Sequence, residues 1–549
     1  MPRSSFGGRG ICMSSRRGNQ HVQPEQQPIH TEELTTSEHS QVPQDTLAPQ
    51  SLLDAVVARG ASAADRDDAD SSRLQDFLQS KSTAARLRAW LGSLPQSVQD
   101  LAACRRHLSR DIATIDQLLS KQVNAVIHHP AYQQLESSWR GLHYLWKNAR
   151  DLAVEYGMEE ESARFDLRVL DVRKKELQRD FEDAVDFDQN VLFKRVYEEE
   201  FGTAGGEPYG MLIADYEFSN HPDDIELMSH LSGVGASAFA PVIAAASPKL
   251  MGLDDFNSLE QPLDLESLYE QPRYRKWKSL RSRPDSQFLG LTVPRILMRE
   301  PYQDDGGRHH GFRFREDVDA EDSADYLWGT AAWGFGAVVM RAFASVSWFA
   351  DIRGAERGSI GGGMVTDLPS HSFQTDSEGV ALRSSVDVMI SDEREAELCD
   401  QGFIPLSHCK DTPYSVFYSN QSVHRPVVYD DQVATANARV SAMLQYILCA
   451  SRIAHYLKTR IRDKIGGMAS PGEIEYEMQE WLMQYVTPDD KASASLKAKY
   501  PLRSAEVDVA EIPGEPGKYM MTLHLLPHYQ LDQLTSTLSL IARRIELNK

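Results

Sequence analysis

The chain has 549 residues, 80 of them acidic against 58 basic, for a formal net charge of −22. That length holds several domains with a large buried core, while the charge argues against nucleic acid or an anionic membrane surface as the main partner. Five scattered cysteines (Cys12, Cys104, Cys399, Cys409, Cys449) form no CxxC pair; they argue against a disulfide scaffold or cysteine zinc site and fit a reducing, cytoplasmic setting.

Residues 1–72 are rich in Ser, Gln, Pro, Gly, Asp and His, and their composition predicts a disordered N-terminal extension. No apolar run follows the arginines at its start, so no secretion signal is read there. Residues 73–150 read as a helical segment. Leu108, Ile112, Ile115, Leu119, Val123 and Val126 recur at helical spacing, and His128-His129-Pro130 ends that helix. Leu135, Trp139, Leu142 and Trp146 then share one face of a second helix, giving a helical hairpin whose apolar stripe needs a covering surface.

Residues 151–470 read as a central α/β region. Phe165, Leu167 and Val169 alternate as in a strand, and charged helices are expected at 173–185 and 191–201. YGMLIADY (209–216) and PVIAAA (241–246) read as buried strands flanking a helix opened by Pro222 and Asp223, which suggests parallel pairing. Further on come a helix at 274–283, a strand at 295–298 and an apolar helix over 327–348. The segment 327–350 is long enough for a membrane span. Its central Arg341, which costs about 2.5–3.5 kcal/mol on insertion scales, makes it a buried core helix instead. Strands fit 386–390, 403–407 and 415–418; Asp392 caps a short helix, and one long helix fits 431–464.

Residues 471–549 form a separate C-terminal pattern: a helix at 473–486, a hairpin and a final helix at 531–547. The hairpin pairs 505–509 with an alternating strand carrying Tyr519, Met521, Leu523 and Leu525, around the turn PGEPG (513–517).

Chemistry-bearing patterns are sparse. Gly334-Phe335-Gly336 follows no strand and reads as small residues for close helix packing, not a dinucleotide fingerprint. Gly361-Gly362-Gly363 lacks the lysine of a P-loop. The adjacent pairs His128-His129 and His309-His310 diverge, so a metal site using the latter with Asp304, Asp305 and Glu316 yields to a solvated loop. Asp215, with His221, Asp223 and Asp224, could make a carboxylate site at a sheet edge; the simpler reading places Asp223 and Asp224 in the first turn of a helix. No catalytic, cofactor or metal residues are assigned. A two-stranded hairpin is not stable alone, so it either joins a sheet or pairs with another chain, which suggests an assembly subunit and not an enzyme.

Several segments resemble the large subunit of the type VI secretion contractile sheath, the TssC/VipB family. They are NVLFKRVYEEEF (190–201), GGEPYGMLIADYEF (205–218), FLGLTVPRILMREPY (288–302), YLWGTAAW (326–333), FADIRG (349–354), GFIPL (402–406), SRIAHYLKTRIRD (451–463) and LHLLPHYQ (523–530). The resemblance runs from about residue 101 to the end. It implies an α/β fold of two- or three-layer mixed sheets with flanking helices, a helical hairpin before them and a C-terminal β-hairpin for strand exchange between subunits. It implies pairing with a small sheath subunit (TssB/VipA-like), self-assembly into a helical polymer around the Hcp inner tube, and docking on a baseplate. It further implies contraction without nucleotide and recycling by a ClpV-type AAA+ unfoldase, mainly through the small subunit. No nucleic acid and no membrane insertion are expected. By analogy Val507, Val509, Tyr519, Met521, Leu523 and Leu525 pair strands between subunits, and Ile112, Ile115, Leu119, Leu135, Trp139 and Leu142 contact the small subunit. Residues 1–72 exceed what the family needs, which leaves the start of its interlacing N-terminal segment open. The competing readings are a non-contractile, baseplate-like scaffold paralogue and the carboxylate enzyme at Asp215 and Asp223.

Overall fold

The computed structural model describes residues 68–91, 101–156, 166–304, 311–319, 323–355, 358–374, 381–464, 470–489, 491–511 and 519–528. Most of the extension expected at 1–72, the hairpin turn and the final helix at 531–547 lie outside them. The chain divides into two compact units, residues 13–121 and a larger one continuing from 122.

In the first unit, helices α1 (Asp68–Gln79) and α2 (Thr83–Leu91) precede α3 (Leu101–Ile127), whose last residues cross into the larger unit. Phe77 packs on Trp90 with ring centroids 5.3 Å apart, and the Trp90 indole donates to Asp111 on α3 at 2.8 Å.

In the larger unit, α4 (Pro130–Glu155) starts where the sequence breaks α3. His129 is held extended by the following proline and its Nδ1 accepts from Ala131 N–H at 3.3 Å. Phe165 lies outside the described residues, and the strand expected at Leu167 and Val169 is absent: 166–173 has no strand assignment and leads into α5 (Lys174–Asp183). The turn Val191–Phe193 then widens into a π-helix, Lys194–Gly202.

A six-stranded mixed sheet is the centre of this unit, in the order β1 (Leu212–Phe218), β2 (Val242–Ala246), β3 (Leu289–Val293), β9 (Ile404–His408), β10 (Ser415–Phe417) and β6 (Met364–Val365). The first four strands run parallel, and β10 is antiparallel to both its neighbours. Short pairs β4 (Ile296–Leu297) with β5 (Trp328–Gly329), and β7 (His371–Gln374) with β8 (Ala381–Ser384), stand apart. Alternation along β2 shows what covers the sheet. Val242, Ala244 and Ala246 join the core beneath α6 (Pro222–Ala238), whereas Ile243 joins the core beneath α7 (Ala332–Val346). Helices on both faces make a three-layer α/β sandwich.

The apolar segment 327–348 is therefore split between β5 and α7. Among the described residues no helix is long and apolar enough to cross a membrane. Arg341 reaches out of α7 to donate to the Gly362 carbonyl at 2.8 Å, which explains a charge within an apolar helix. Gly336 lets α7 close on the sheet, since a Cβ there would sit 2.6 Å from Ile213.

Three local expectations are corrected. Residues 386–390 form no strand beyond a single bridge from Val386 to Ile296; the buried Asp387 instead accepts from Arg295 at 2.6 and 2.8 Å. Ser391, not Asp392, caps α8 (Asp392–Asp400), accepting from Arg394 N–H at 3.3 Å. The long helix at 431–464 breaks into α9 (Gln432–Ser441) and α10 (Leu444–Lys464). There Met443 bridges Gln421 and the Leu444 amide bonds the Asn420 carbonyl at 3.0 Å. Tertiary pairing wins over a continuous apolar period.

One buried group on α10 titrates in an accessible range. Burial pushes the His455 imidazole down from 6.5 to about 4, opposed by its bond to the Ala238 carbonyl. The unfolded chain takes up this proton first, so stability present above pH 6.5 declines as pH falls towards 4. Urea unfolding at pH 7 and pH 5 should differ by about 2 kcal/mol from this group, and His455→Phe should remove that part of the difference. An unchanged acid slope in the variant would contradict it.

Candidate assembly surfaces

The carboxylate cluster dissolves on inspection. Asp215 points from β1 into the sandwich, where it accepts from the Ser138 hydroxyl of α4 and from the Trp333 indole of α7 at 3.2 Å. Burial pushes its carboxyl up, and these two donors oppose that shift. Asp223 is exposed beside His221 in the first turn of α6, and Asp224 binds Ser219 at 2.8 Å and Lys174 at 2.7 Å. Each carboxylate thus has a structural partner. A cleft of about 420 Å³, lined in part by Asp264, Arg281, Asp400 and Arg425, includes none of them.

The histidines build no common site among the described residues either. His309, His310 and Asp305 lie outside the described residues. Glu316 is held by Arg299 at 3.0 Å, the Tyr302 amide at 2.8 Å and His128 at 3.0 Å. Burial would raise this carboxyl; the Arg299 bonds dominate among the groups that hold it below its ordinary value. Among the described residues no group of three His, Cys, Asp or Glu side chains is placed to hold a metal ion.

Apolar surface is plentiful instead. The buried face of α4 is Ser137, Gly141, Leu145 and Leu152, spaced by a helical turn or two. Gly141 permits the contact: a Cβ there would fall 2.3 Å from the Trp333 indole. The stripe read from the sequence lies elsewhere. Leu135 is 57% exposed, Trp139 65% and Trp146 49%, with Leu142 half-buried beside them. In α3, Ile112 is 56% and Ile115 40% exposed, and Leu119 is half-buried. The sequence pattern found an apolar stripe, but the core took the glycine-bearing face and left the tryptophans outside.

The C-terminal hairpin is real, and it does not join the main sheet. Strand β11 (Leu502–Glu511) pairs antiparallel with β12 (Tyr519–Pro527) as a separate two-stranded sheet. Val507 is buried, and Val509, Met521, Leu523 and Leu525 are half-buried. Their side chains pack on Trp348, Ile453 and Leu457, and on Met478, Trp481 and Leu482 of α11 (Pro471–Met483). Tyr519 stands opposite Glu511 in the register. These side chains therefore cover the chain's own core, and only strand edges remain for pairing outward.

The two edges differ. Backbone groups of Ala505, Val507 and Val509 turn away from β12 and meet side chains of α11. The residues opposite them, Leu525, Leu523 and Met521, consequently turn their N–H and C=O groups away from β11. Among the described residues nothing bonds that outer edge of β12. The sequence signalled the hairpin but carried no signal for which edge is closed.

A family model described as the EvpB/VC_A0108 tail sheath N-terminal domain matches residues 109–424, and one for that family's tail sheath gpW/gp25-like domain matches residues 433–544. The chain is 42% identical over 435 residues to a Pseudomonas aeruginosa protein named type VI secretion system sheath protein TssC1, covering 79% of this chain and 84% of the relative. Among solved structures, a chain of the anti-feeding prophage baseplate aligns with a TM-score of 0.33 and 10% identity, covering 69% of this chain and 84% of that one. A chain of the contracted anti-feeding prophage helical sheath aligns with a TM-score of 0.24 and 13% identity, covering 68% and 91%.

The half-buried Asp215 carboxylate can be tested as a structural acceptor. Asp215→Ala strands the Trp333 indole and the Ser138 hydroxyl, which should cost about 1–3 kcal/mol in a urea unfolding titration. Asp215→Asn, which keeps an acceptor oxygen, should lose less. Equal losses would show that the hydrogen bonds to this group contribute little.

Proposed function

The chain belongs to the EvpB/VC_A0108 tail sheath family, and on that premise we propose that it is the large subunit of a contractile type VI secretion sheath. In this reading it pairs with a small sheath subunit, and the pairs stack as a helical polymer around an Hcp inner tube, anchored on a baseplate. The polymer stores energy in its lattice and contracts to drive the tube outward. A heterologous contact that does not close yields such an open filament, and two lattice packings of differing free energy supply the stroke. The role is structural, the setting cytoplasmic, and recycling by a ClpV-type unfoldase acts mainly on the small subunit.

The observation that carries this reading is the outer edge of β12, whose backbone groups no described residue bonds. An edge with free N–H and C=O groups accepts a strand from another chain, and such a link survives while rigid bodies rotate. Residues 1–72 then serve as an extension, 73–150 as the small-subunit contact, 151–470 as the sheath body and 471–549 as the assembly element. The exposed Trp139, with Leu135 and Leu142, and separately Ile112, Ile115 and Leu119, offer apolar anchors to the small subunit. Val507, Val509, Tyr519, Met521, Leu523 and Leu525 set the hairpin's register, and the outward backbone groups of β12 do the pairing.

Two substitutions separate these roles. Leu523→Pro removes an outward N–H and leaves the bonds to β11. It should lower the thermal midpoint about as much as the control Leu523→Ala, which loses the same half-buried packing but keeps the N–H, yet unlike the control form no tubes with the small subunit under the electron microscope; normal tubes would overturn strand addition at this edge. Trp139→Glu should weaken small-subunit pull-down at least about tenfold, as for a central aromatic anchor, with unchanged circular dichroism. Unchanged capture would place the small subunit elsewhere.

A further inference from the structure

The outer edge of β11 is closed by side chains, not by another strand. The Gln479 amide of α11 donates to the Ala505 carbonyl at 2.8 Å, and its Oε1 accepts from Val507 N–H at 2.9 Å. One turn earlier, Glu475 accepts from Val509 N–H at 3.2 Å. At the start of the strand, Leu502 bonds Tyr485 and Thr487 through backbone groups at 3.3 and 2.9 Å. Leu502, Ala505, Val507 and Val509 thus each have at least one outward backbone group met.

The fit is metric. Four residues of helix rise about 6.0 Å, and two residues of strand advance about 6.6–6.8 Å. Side chains at i and i+4 of a helix lying along a strand thus reach alternate outward backbone groups. Glu475 and Gln479 run against β11 in this way, matching Val509 and then Val507. A primary amide carries both a donor and an acceptor, so Gln479 reproduces the pair of bonds that a neighbouring strand would make.

We propose that Gln479, aided by Glu475, is a surrogate strand that seals β11, so that the hairpin is extended only at β12 and two unassembled copies cannot pair through their β11 edges. The proposal rests on the hairpin being a strand acceptor. Unprotected edges of identical strands associate with one another, and a subunit that waits for assembly at high local concentration is exposed to that error. Closing one edge also gives strand addition a single sense around the polymer. Gln479 acts here as a positioning residue.

The test uses the full chain carrying Gln479→Met, which keeps the volume and removes both hydrogen bonds. Amide exchange at Val507 should accelerate about tenfold, the scale of one lost hydrogen bond, while Thr522 on the β11–β12 ladder keeps its wild-type protection. Sedimentation should show a concentration-dependent dimer beyond that of wild type. Gln479→Glu, which retains an acceptor for Val507 but cannot donate to Ala505, should fall between the two. Wild-type protection at Val507 and wild-type sedimentation in Gln479→Met would overturn the proposal. If Gln479→Met does not fold, Glu475→Met, which leaves Val509 N–H without this acceptor, decides: faster exchange confined to Val509 supports the seal, and no change contradicts it. Tube formation with the small subunit is scored separately. Its absence in the wild-type chain would sink the strand-acceptor reading, whereas exposed β11 amides with normal wild-type tubes would support the seal.

Discussion

A strand leaves half of its backbone hydrogen-bonding groups facing each side, and each must find a partner or water. In the C-terminal hairpin that requirement decides the shape of the molecule's interactions. Helix α11 lies along β11 and meets its outward groups through Gln479 and Glu475. The same helix contributes Met478, Trp481 and Leu482 to the core on which the hairpin rests. One helix thus supports the hairpin and selects its free side. The apolar residues that make the hairpin look adhesive in sequence are occupied at home, so what remains for a partner is mostly main chain. Recognition by main chain tolerates sequence change in the partner strand and fixes geometry, which suits a repeated lattice contact.

The body behind the hairpin is held by a few long-range polar contacts set in close-packed layers. Asp215 joins β1 to α4 and α7. Arg462 of α10 donates to the Phe201, Gly202 and Thr203 carbonyls, which satisfies the end of the π-helix, and Lys458 sits over the Phe201 ring. Arg341 ties α7 to the glycine loop at Gly362. Each contact joins separate elements of the chain, and Asp215 with Trp333, and Arg462 and Lys458 with Phe201, lie inside the segments that carry the family resemblance. NVLFKRVYEEEF touches SRIAHYLKTRIRD, and GGEPYGMLIADYEF touches YLWGTAAW. Those segments are interior seams of the protomer. A body so braced can move as a unit, as the proposed strand link to a neighbour requires.

What the sequence makes legible follows from how local each cause is. The short apolar runs YGMLIADY and PVIAAA mark β1 and β2, and Pro130 and Pro222 mark helix starts, because local causes suffice. The break between α9 and α10 is invisible in the apolar period, since it depends on Gln421 and Asn420 from a distant loop. The same holds for 386–390, where an ion pair to Arg295 replaces a ladder. On α4 the largest apolar residues mark the stripe in the sequence, yet Gly141 selects the buried face because only a glycine admits the Trp333 indole. Periodicity finds amphipathic faces; it does not say which one the fold keeps. The open edge of β12 likewise depends on where α11 lies, and no pattern within β12 encodes it.

The most direct test is an electron cryo-microscopy map of tubes grown from the chain co-expressed with its small subunit, read at the hairpin. Strand addition at β12 predicts an extended segment of another protomer hydrogen-bonded to the outward groups of Met521, Leu523 and Leu525, with Gln479 still seated on Ala505 and Val507. Tubes whose β12 edge stays bare, or whose incoming strand lies on β11 with Gln479 displaced, would contradict it.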